Sequence, residues 1–517
     1  MMKLNLPQPA HPTGDLPSVV EAVDDGPIVV DTYAGPVRVE WDPEASVTAL
    51  GHFAFFVEYL KASGRFDALV ADCPLVYTSG NAPAVRDVIG TAVLGILAGH
   101  WRYAHLTALR GDSVSPALLG MNRVMSEDAV RRGFAKIDPV AGEAWLHRHL
   151  RATVEPLLSE PWILDCDTTV KPLYGHQEGA VVGYNPHKPG RPSHAYHTFQ
   201  ICGVRLVVDV VVKPGNRHTS KDSEPHLWPL LEPLPQAYWP RLARGDKNWG
   251  TERNMTRCEQ EGLGYLFKLR LTRGVRRAIE KVMGRDGWVD AGQGWTGHEA
   301  QLRLKGWSRS RRVIMLRRRL PETLAVTGAH AEDQGDLFWT DTTKPGAAIW
   351  EFAVLVTSLD MEICSLAQLY RDRGDSENPF DELKNQWGWA GFTTADINRC
   401  QLMARLIALI YNWWTLYCRL ADPDQHHEAL TTRSLLLNAV GRQTRHAGQT
   451  RLTVTSSHGR RQHVKVALTR VSKFLSGLIK NAEHLTDAER WTYILSYALR
   501  KYLRWRTLRP PPTLLPV

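Results

Sequence analysis

Residues 370–388 read YRDRGDSENPFDELKNQWG, in which Tyr370, Arg373, Glu377 and Lys384 follow one another at steps of three, four and seven. On an ideal helix those steps set the last three at about 300°, 340° and 320° from Tyr370, so all four share a stripe about 60° wide. The apolar Phe380 and Leu383 point elsewhere, so the stripe is not a core face. An aromatic, two cations and a carboxylate side by side suit the handling of something acidic. Pro379 complicates the picture, because in an unbroken helix from Leu369 to Lys384 its ring would meet the carbonyl of Asp375, at a cost of ~3 kcal/mol or more. In a first turn that penalty disappears, since the first four amide groups have no intrahelical partner. The spacing therefore predicts a helix start between Gly374 and Asn378, with Gly374 as the break and Asp375 or Ser376 as cap. Glu377 would then sit at the positive end of the helix dipole, which favours its ionised form.

The surrounding chain has 517 residues, 43% of them hydrophobic, which suggests a globular protein of about three domains. Its first thirty residues combine acids and prolines with no apolar block, so no signal peptide is expected. The longest apolar runs, Val88–Ala98 and Leu406–Cys418, are shorter than the ~20 residues of a membrane span. A soluble, cytoplasmic protein without a membrane partner is expected. Seven cysteines are scattered singly with no CxxC or zinc-like spacing, and read as reduced, mostly buried thiols.

Net charge is +9, but from Thr431 to the C-terminus sixteen Lys/Arg stand against three acids, a local +13. A second block, QLRLKGWSRSRRVIMLRRRL (301–320), has eight Lys/Arg and no acid. Either block alone is equally well read as solvated surface. Two blocks interleaved with Trp307, Trp491, Tyr497, Tyr502 and Trp505 fit a polyanion footprint better, most plainly nucleic acid.

PIVVDTYAGPVRVEW (27–41) reads as a small hairpin, and residues 45–155 as helices, one of them capped by Ser126 with Glu127 and Asp128 in its first turn. A helix-turn-helix reader would fit there, although a plain helical pair fits better because no base-contacting side chains stand out. WILDCDTTV (162–170), ICGVRLVVDVVV (201–212) and RLARGD (241–246) read as strands. The Gly- and Pro-rich stretch between the first two reads as a loop or ribbon whose histidines, His187, His194 and His197, are solvated. Short alternating runs from Thr272 to Ile349 form a β-rich module, followed by the strand EFAVLVTSL and by long helices.

Strand periodicity puts Asp165 and Asp167 on one face of an otherwise buried run, where a carboxylate costs several kcal/mol unless a partner or metal compensates. Asp246 ends a strand, a favoured place for ligand sites in α/β sheets. With Glu377 as a third carboxylate and no Cys or His spacing nearby, the set describes a hard-ligand site for magnesium, or manganese in its place. Beside basic surface, such a site fits metal-dependent phosphodiester cleavage. A chain with 54 acids offers many triplets, so spacing alone leaves this open.

The segment from Tyr370 resembles the Y-R-E-K signature of bacterial insertion-sequence transposases with an Asp-Asp-Glu (DDE) catalytic domain: Tyr, two residues, Arg, three residues, Glu, six residues, Lys. DCDTTV resembles the strand of the family's first aspartate, and RGDKNWGTERNM the turn of its second. The resemblance covers roughly residues 85–425 and implies an RNase H-like mixed α/β fold with a β-rich insertion before the glutamate. Carried over residue by residue, it makes Asp167, Asp246 and Glu377 the catalytic, metal-holding triad, 79 and 131 residues apart. Asp167 is chosen over Asp165 because it directly precedes Thr168 and Thr169; Asp165 becomes a near-site residue whose loss should be milder. Tyr370, Arg373 and Lys384 become DNA phosphate contacts, and Trp339 or Trp350 a platform for a flipped base. The expected organisation is an N-terminal hairpin and helical region, a candidate DNA-binding region (1–155), first core part (156–271), β-rich insertion (272–349), second core part (350–425) and a basic, largely helical C-terminal region (426–517). The implied function is cleavage of insertion-sequence ends and joining of the 3′ ends to target DNA. The implied partners are terminal inverted repeats and target duplex, engaged by a homodimer at the nucleoid. The alternatives are a domesticated derivative that binds DNA without cutting, and a nuclease without strand transfer.

Overall fold

The strand Ile163–Pro172 runs through the interior of an eleven-stranded mixed sheet. The structure is a computed structural model describing residues 26–185, 188–217, 224–320, 338–339, 349–423, 426–455 and 459–510. On one side Ile163–Pro172 pairs antiparallel with Pro192–Ile201, which in turn pairs with Leu206–Pro214 and Val181–Val182. On the other side it pairs parallel with Leu242–Gly245, and that strand pairs parallel with Gly264–Lys268. The connection between these last two is the helix Glu252–Gln260, as a parallel crossover requires. Thr251 caps this helix by accepting from the amide of Asn254. The sheet then continues antiparallel through Ile349–Thr357, Arg311–Leu320, Trp295–Leu302 and Val289–Gly292. This large mixed sheet flanked by helices is the α/β class expected, and is compatible with an RNase H-like core.

Pro192–Ile201 corrects the loop reading. His194 and His197 are fully buried rather than solvated, because a strand paired on both edges and covered on both faces shows no polar alternation. His187 lies outside the described residues. A helix, Arg273–Met283, opens the stretch read as alternating β-runs. The block 301–320 is also tied down more than its charge suggests. Arg309 and Arg311 pair with Glu259, Arg311 also with Glu252, Arg312 with Glu299 and Arg318 with Glu351. Trp307 is buried, so part of this block's charge is held internally, while Arg303, Lys305 and Arg319 stay exposed.

The helix Ile397–Ala421 closes one free edge of the sheet. Leu206–Pro214 pairs along one side only, and polar side chains of the helix satisfy its other backbone groups. Asn412 accepts from Val207 N at 2.9 Å and donates to Val207 O at 2.7 Å. One turn after another along the same face, Gln401 does the same for Val212 N and Val210 O. Arg405 forms a buried bidentate pair with Asp209 at 2.8 and 2.9 Å.

Among the N-terminal helices, Val85–Leu97 is buried from Asp87 to its end, which explains its apolar run as core; among the described residues no helix is long and apolar enough to cross a membrane. Ser126 caps Glu127–Lys136. The basic C-terminal region packs into the body. Its helix Asp487–Ala498 buries Trp491, whose ring N–H donates to Thr153 O at 2.9 Å. Its hairpin Gly441–His446/Gln449–Val454 extends a three-stranded sheet with Val47–Thr48. Residues 26–46 form a separate unit containing the hairpin Ile28–Thr32/Gly35–Val39.

Candidate active site

Parallel register brings the two aspartates together. Asp165 lies opposite Arg244 and Cys166 opposite Gly245, so one step further along each chain Asp167 lies beside Asp246. Adjacent strands are ~4.8 Å apart. The two carboxylates feel each other: burial, and next to it the Asp167 charge, push the Asp246 carboxyl above its ordinary pKa. Asp246 is held by its own turn, accepting from Asn248 N and Nδ2, both at 2.9 Å, and Arg270 donates to Asn248 Oδ1. Gly245 is required here, because a Cβ would come within 2.4 Å of the Trp249 ring that folds back under the turn.

The signature segment supplies the cations. Helix Ile363–Arg371 passes into a 3-10 stretch, Asp372–Ser376, and a new α-helix starts at Glu377 and runs to Asn385. This is the helix start that Pro379 demanded; the side chains of Asp375, Ser376 and Glu377 lie outside those described. Arg373 donates from Nη1 to Asp167 Oδ2 at 2.6 Å, and Asp167 Oδ1 accepts from Thr168 N at 2.7 Å. Burial works against the Arg373 charge, but Asp167, Tyr370 and Asp246 together hold its pKa above the ordinary value. The Tyr370 ring lies 5.6 Å from the Arg373 guanidinium, and burial pushes its hydroxyl up to about 12. Burial lowers the Lys384 ammonium pKa, against the pull of Asp381 and Asp167. The structure thus brings Asp167, Asp246, Tyr370 and Arg373 together, with Lys384 within electrostatic reach of Asp167.

Two residues here were not singled out from the sequence. Arg244, fully buried, grips Asp165 with two bonds of 2.7 Å, donates from Nη1 to the carbonyl of Leu369 and reaches Cys202 Sγ at 2.9 Å. It thereby ties the near-site aspartate to the residue just before Tyr370. The signal was present: a carboxylate inside a buried strand requires a cation, and RLARGD has one two positions before Asp246. Asn248 is the other, recognisable as an Asx-type turn residue. Of the two candidate tryptophans, Trp350 is half-buried with Arg317 4.8 Å from its ring, while the Trp339 side chain lies outside those described.

The donor set suits a hard divalent cation: two adjacent carboxylates whose mutual repulsion calls for positive charge between them. Among the described residues no group of three His, Cys, Asp or Glu is gathered as a metal cluster; the third expected donor, the Glu377 side chain, is not among those described.

Residues 82–475 match the family model described as Transposase DDE domain group 1. Among solved structures, the cryo-EM structure of the piggyBac transposase synaptic complex with hairpin DNA aligns at 11% identity and a TM-score of 0.38, over 91% of this chain and 87% of that one. So loose a likeness carries no residue correspondences. No curated protein matches the chain.

Proposed function

The chain belongs to the Transposase DDE domain group 1 family, and on that premise we propose that it is a bacterial insertion-sequence transposase that cuts its element's terminal inverted repeats and joins the 3′ ends to target DNA. The observation that carries this reading is the parallel register that ends at Cys166 opposite Gly245, one residue before Asp167 and Asp246. Arg373 bonded to Asp167 completes that arrangement. Asp167, Asp246 and Glu377 would hold magnesium, or manganese in its place. When bound, the ion supplies charge stabilisation at the phosphoryl oxygens.

The chain's own groups bind and orient the DNA. Tyr370, Arg373 and Lys384 present one hydroxyl and two cations to the phosphates flanking the cut, fixing the scissile bond over the carboxylates. Arg373 also holds the orientation of Asp167. Two copies, each holding one end, would form the synaptic complex, at the nucleoid in the cytoplasm.

The test is incubation of the full chain with Mg2+ and a duplex carrying the DNA that flanks its coding region, read on denaturing gels. Nicking and 3′ joining are expected, and Asp167→Ala, Asp246→Ala and Glu377→Ala should each abolish both while leaving binding. Nicking without joining would mean a nuclease, and binding without nicking an inactive derivative.

A further inference from the structure

The hairpin Gly441–His446/Gln449–Val454 has two unlike faces. Its register pairs Arg442 with Thr453, Thr444 with Arg451 and His446 with Gln449, which puts these six side chains on one face, and all six are exposed. The opposite face carries Gly441, Gln443, Leu452 and Val454, which are buried or half-buried toward the body, and, nearer the turn, the exposed pair Arg445 and Thr450. Two successive positive-φ residues close the loop, Ala447 at 49° and Gly448 at 76°, the geometry of a tight two-residue turn that follows strand twist.

The outward face is built of donors. Residues 429–482 contain ten Lys/Arg and no Asp or Glu. Among the described residues Arg442, His446, Gln449 and Arg451 have no side-chain partner, unlike Arg309, Arg311, Arg312 and Arg318. Arginine and glutamine are the side chains that bond guanine and adenine edges bidentately. Two strands ~4.8 Å apart form a ribbon that a major groove ~12 Å wide admits. At the hairpin's base, the exposed Arg461 and Lys465 border the cleft that Val440 and Val454 also line.

We propose that the outward face of this hairpin is a sequence-reading ribbon that lies in the major groove of duplex DNA, with Arg442 and Arg451 contacting guanine edges while Arg461 and Lys465 hold the backbone. This rests on the DNA-acting reading above and adds to it a binding site separate from the carboxylates.

The test is in vitro selection by the full chain from a duplex library with a randomised centre, followed by binding to the selected and to the random duplex. The wild type should enrich a motif containing guanines, and replacing those guanines with 7-deazaguanine should remove the preference. In Arg442→Ala/Arg451→Ala the ratio of selected to random affinity should fall at least about tenfold, with an unchanged melting curve. Lys465→Ala should weaken both duplexes alike and reduce the salt slope by about 0.9. The proposal is overturned if the double variant enriches the same motif at the same ratio, or if the wild type binds duplex but enriches nothing. In both cases the transposase reading survives; absence of all duplex binding would defeat that reading as well.

Discussion

Arg244→Met tests how the site is held in place. Arg244 and Asp165 have side chains 0% and 4% exposed and are joined by bonds of 2.7 Å. Removing one member of such a pair strands a buried charge and should cost about 3–5 kcal/mol in urea unfolding. Replacing both, as in Asp165→Leu/Arg244→Met, removes the stranded charge and should return stability to within about 1 kcal/mol of the wild type. Cleavage should not return with it. Arg244 also donates to the carbonyl of Leu369, so without it the Tyr370–Arg373 segment loses its anchor, and a displacement of about 1 Å can lower turnover about a hundredfold. Unfolding curves and single-turnover nicking on the same preparations separate the two effects. A double variant that is stable and cuts at the wild-type rate would refute the positioning role and leave the pair as packing alone.

Pro379 occupies the third position of its helix, where no intrahelical bond is lost, so Pro379→Ala should change stability by less than about 1 kcal/mol in thermal unfolding and leave cleavage intact. Burial works against ionised Glu252, but hydrogen bonds from Arg311 and Ser308 hold its carboxyl down at about 2, against an ordinary 4.5. A depressed carboxyl stabilises the fold above its unfolded value, so this contribution should be lost as pH falls from about 4.5 to about 2, and Arg311→Met should flatten that part of the stability curve. Deleting the basic region from Thr431 would remove buried Trp491 and the Arg433 bonds to Gln386 O and Ile96 O, so unfolding is the expected result. The exposed Lys473 and Lys480 are the cleaner probes: their replacement by Ala should lower the slope of log affinity against log salt by about 0.9 for each phosphate no longer neutralised.

Local chemistry made much of this legible in the sequence. The helix start at Glu377 follows from one proline, the strand of Asp167 from the apolar and β-branched run WILDCDTTV, and the strand before Asp246 from the short run RLARGD. Pro192–Ile201 was hidden because a strand buried on both faces can carry histidine, threonine and glutamine on either face, which erases alternation. The charge of 301–320 is partly neutralised in a way its own residues do not show, because the partners of Arg309, Arg311, Arg312 and Arg318, Glu252, Glu259, Glu299 and Glu351, are supplied by other elements of the sheet and its flanking helix. Arg244 went unnoticed for a related reason. Its partner Asp165 is 79 residues away, and only the parallel register reveals that the two are opposite each other.

The most direct test of the carboxylate site is a change of metal preference in Asp167→Cys. A thiolate binds Mn2+ better than Mg2+, whereas a carboxylate accepts both. If Asp167 holds the catalytic ion, the variant should be inactive with Mg2+ and regain nicking with Mn2+, while the wild type nicks with either. A variant equally active with both metals, or inactive with both while still folded and bound to DNA, would contradict the assignment of Asp167 as a metal ligand.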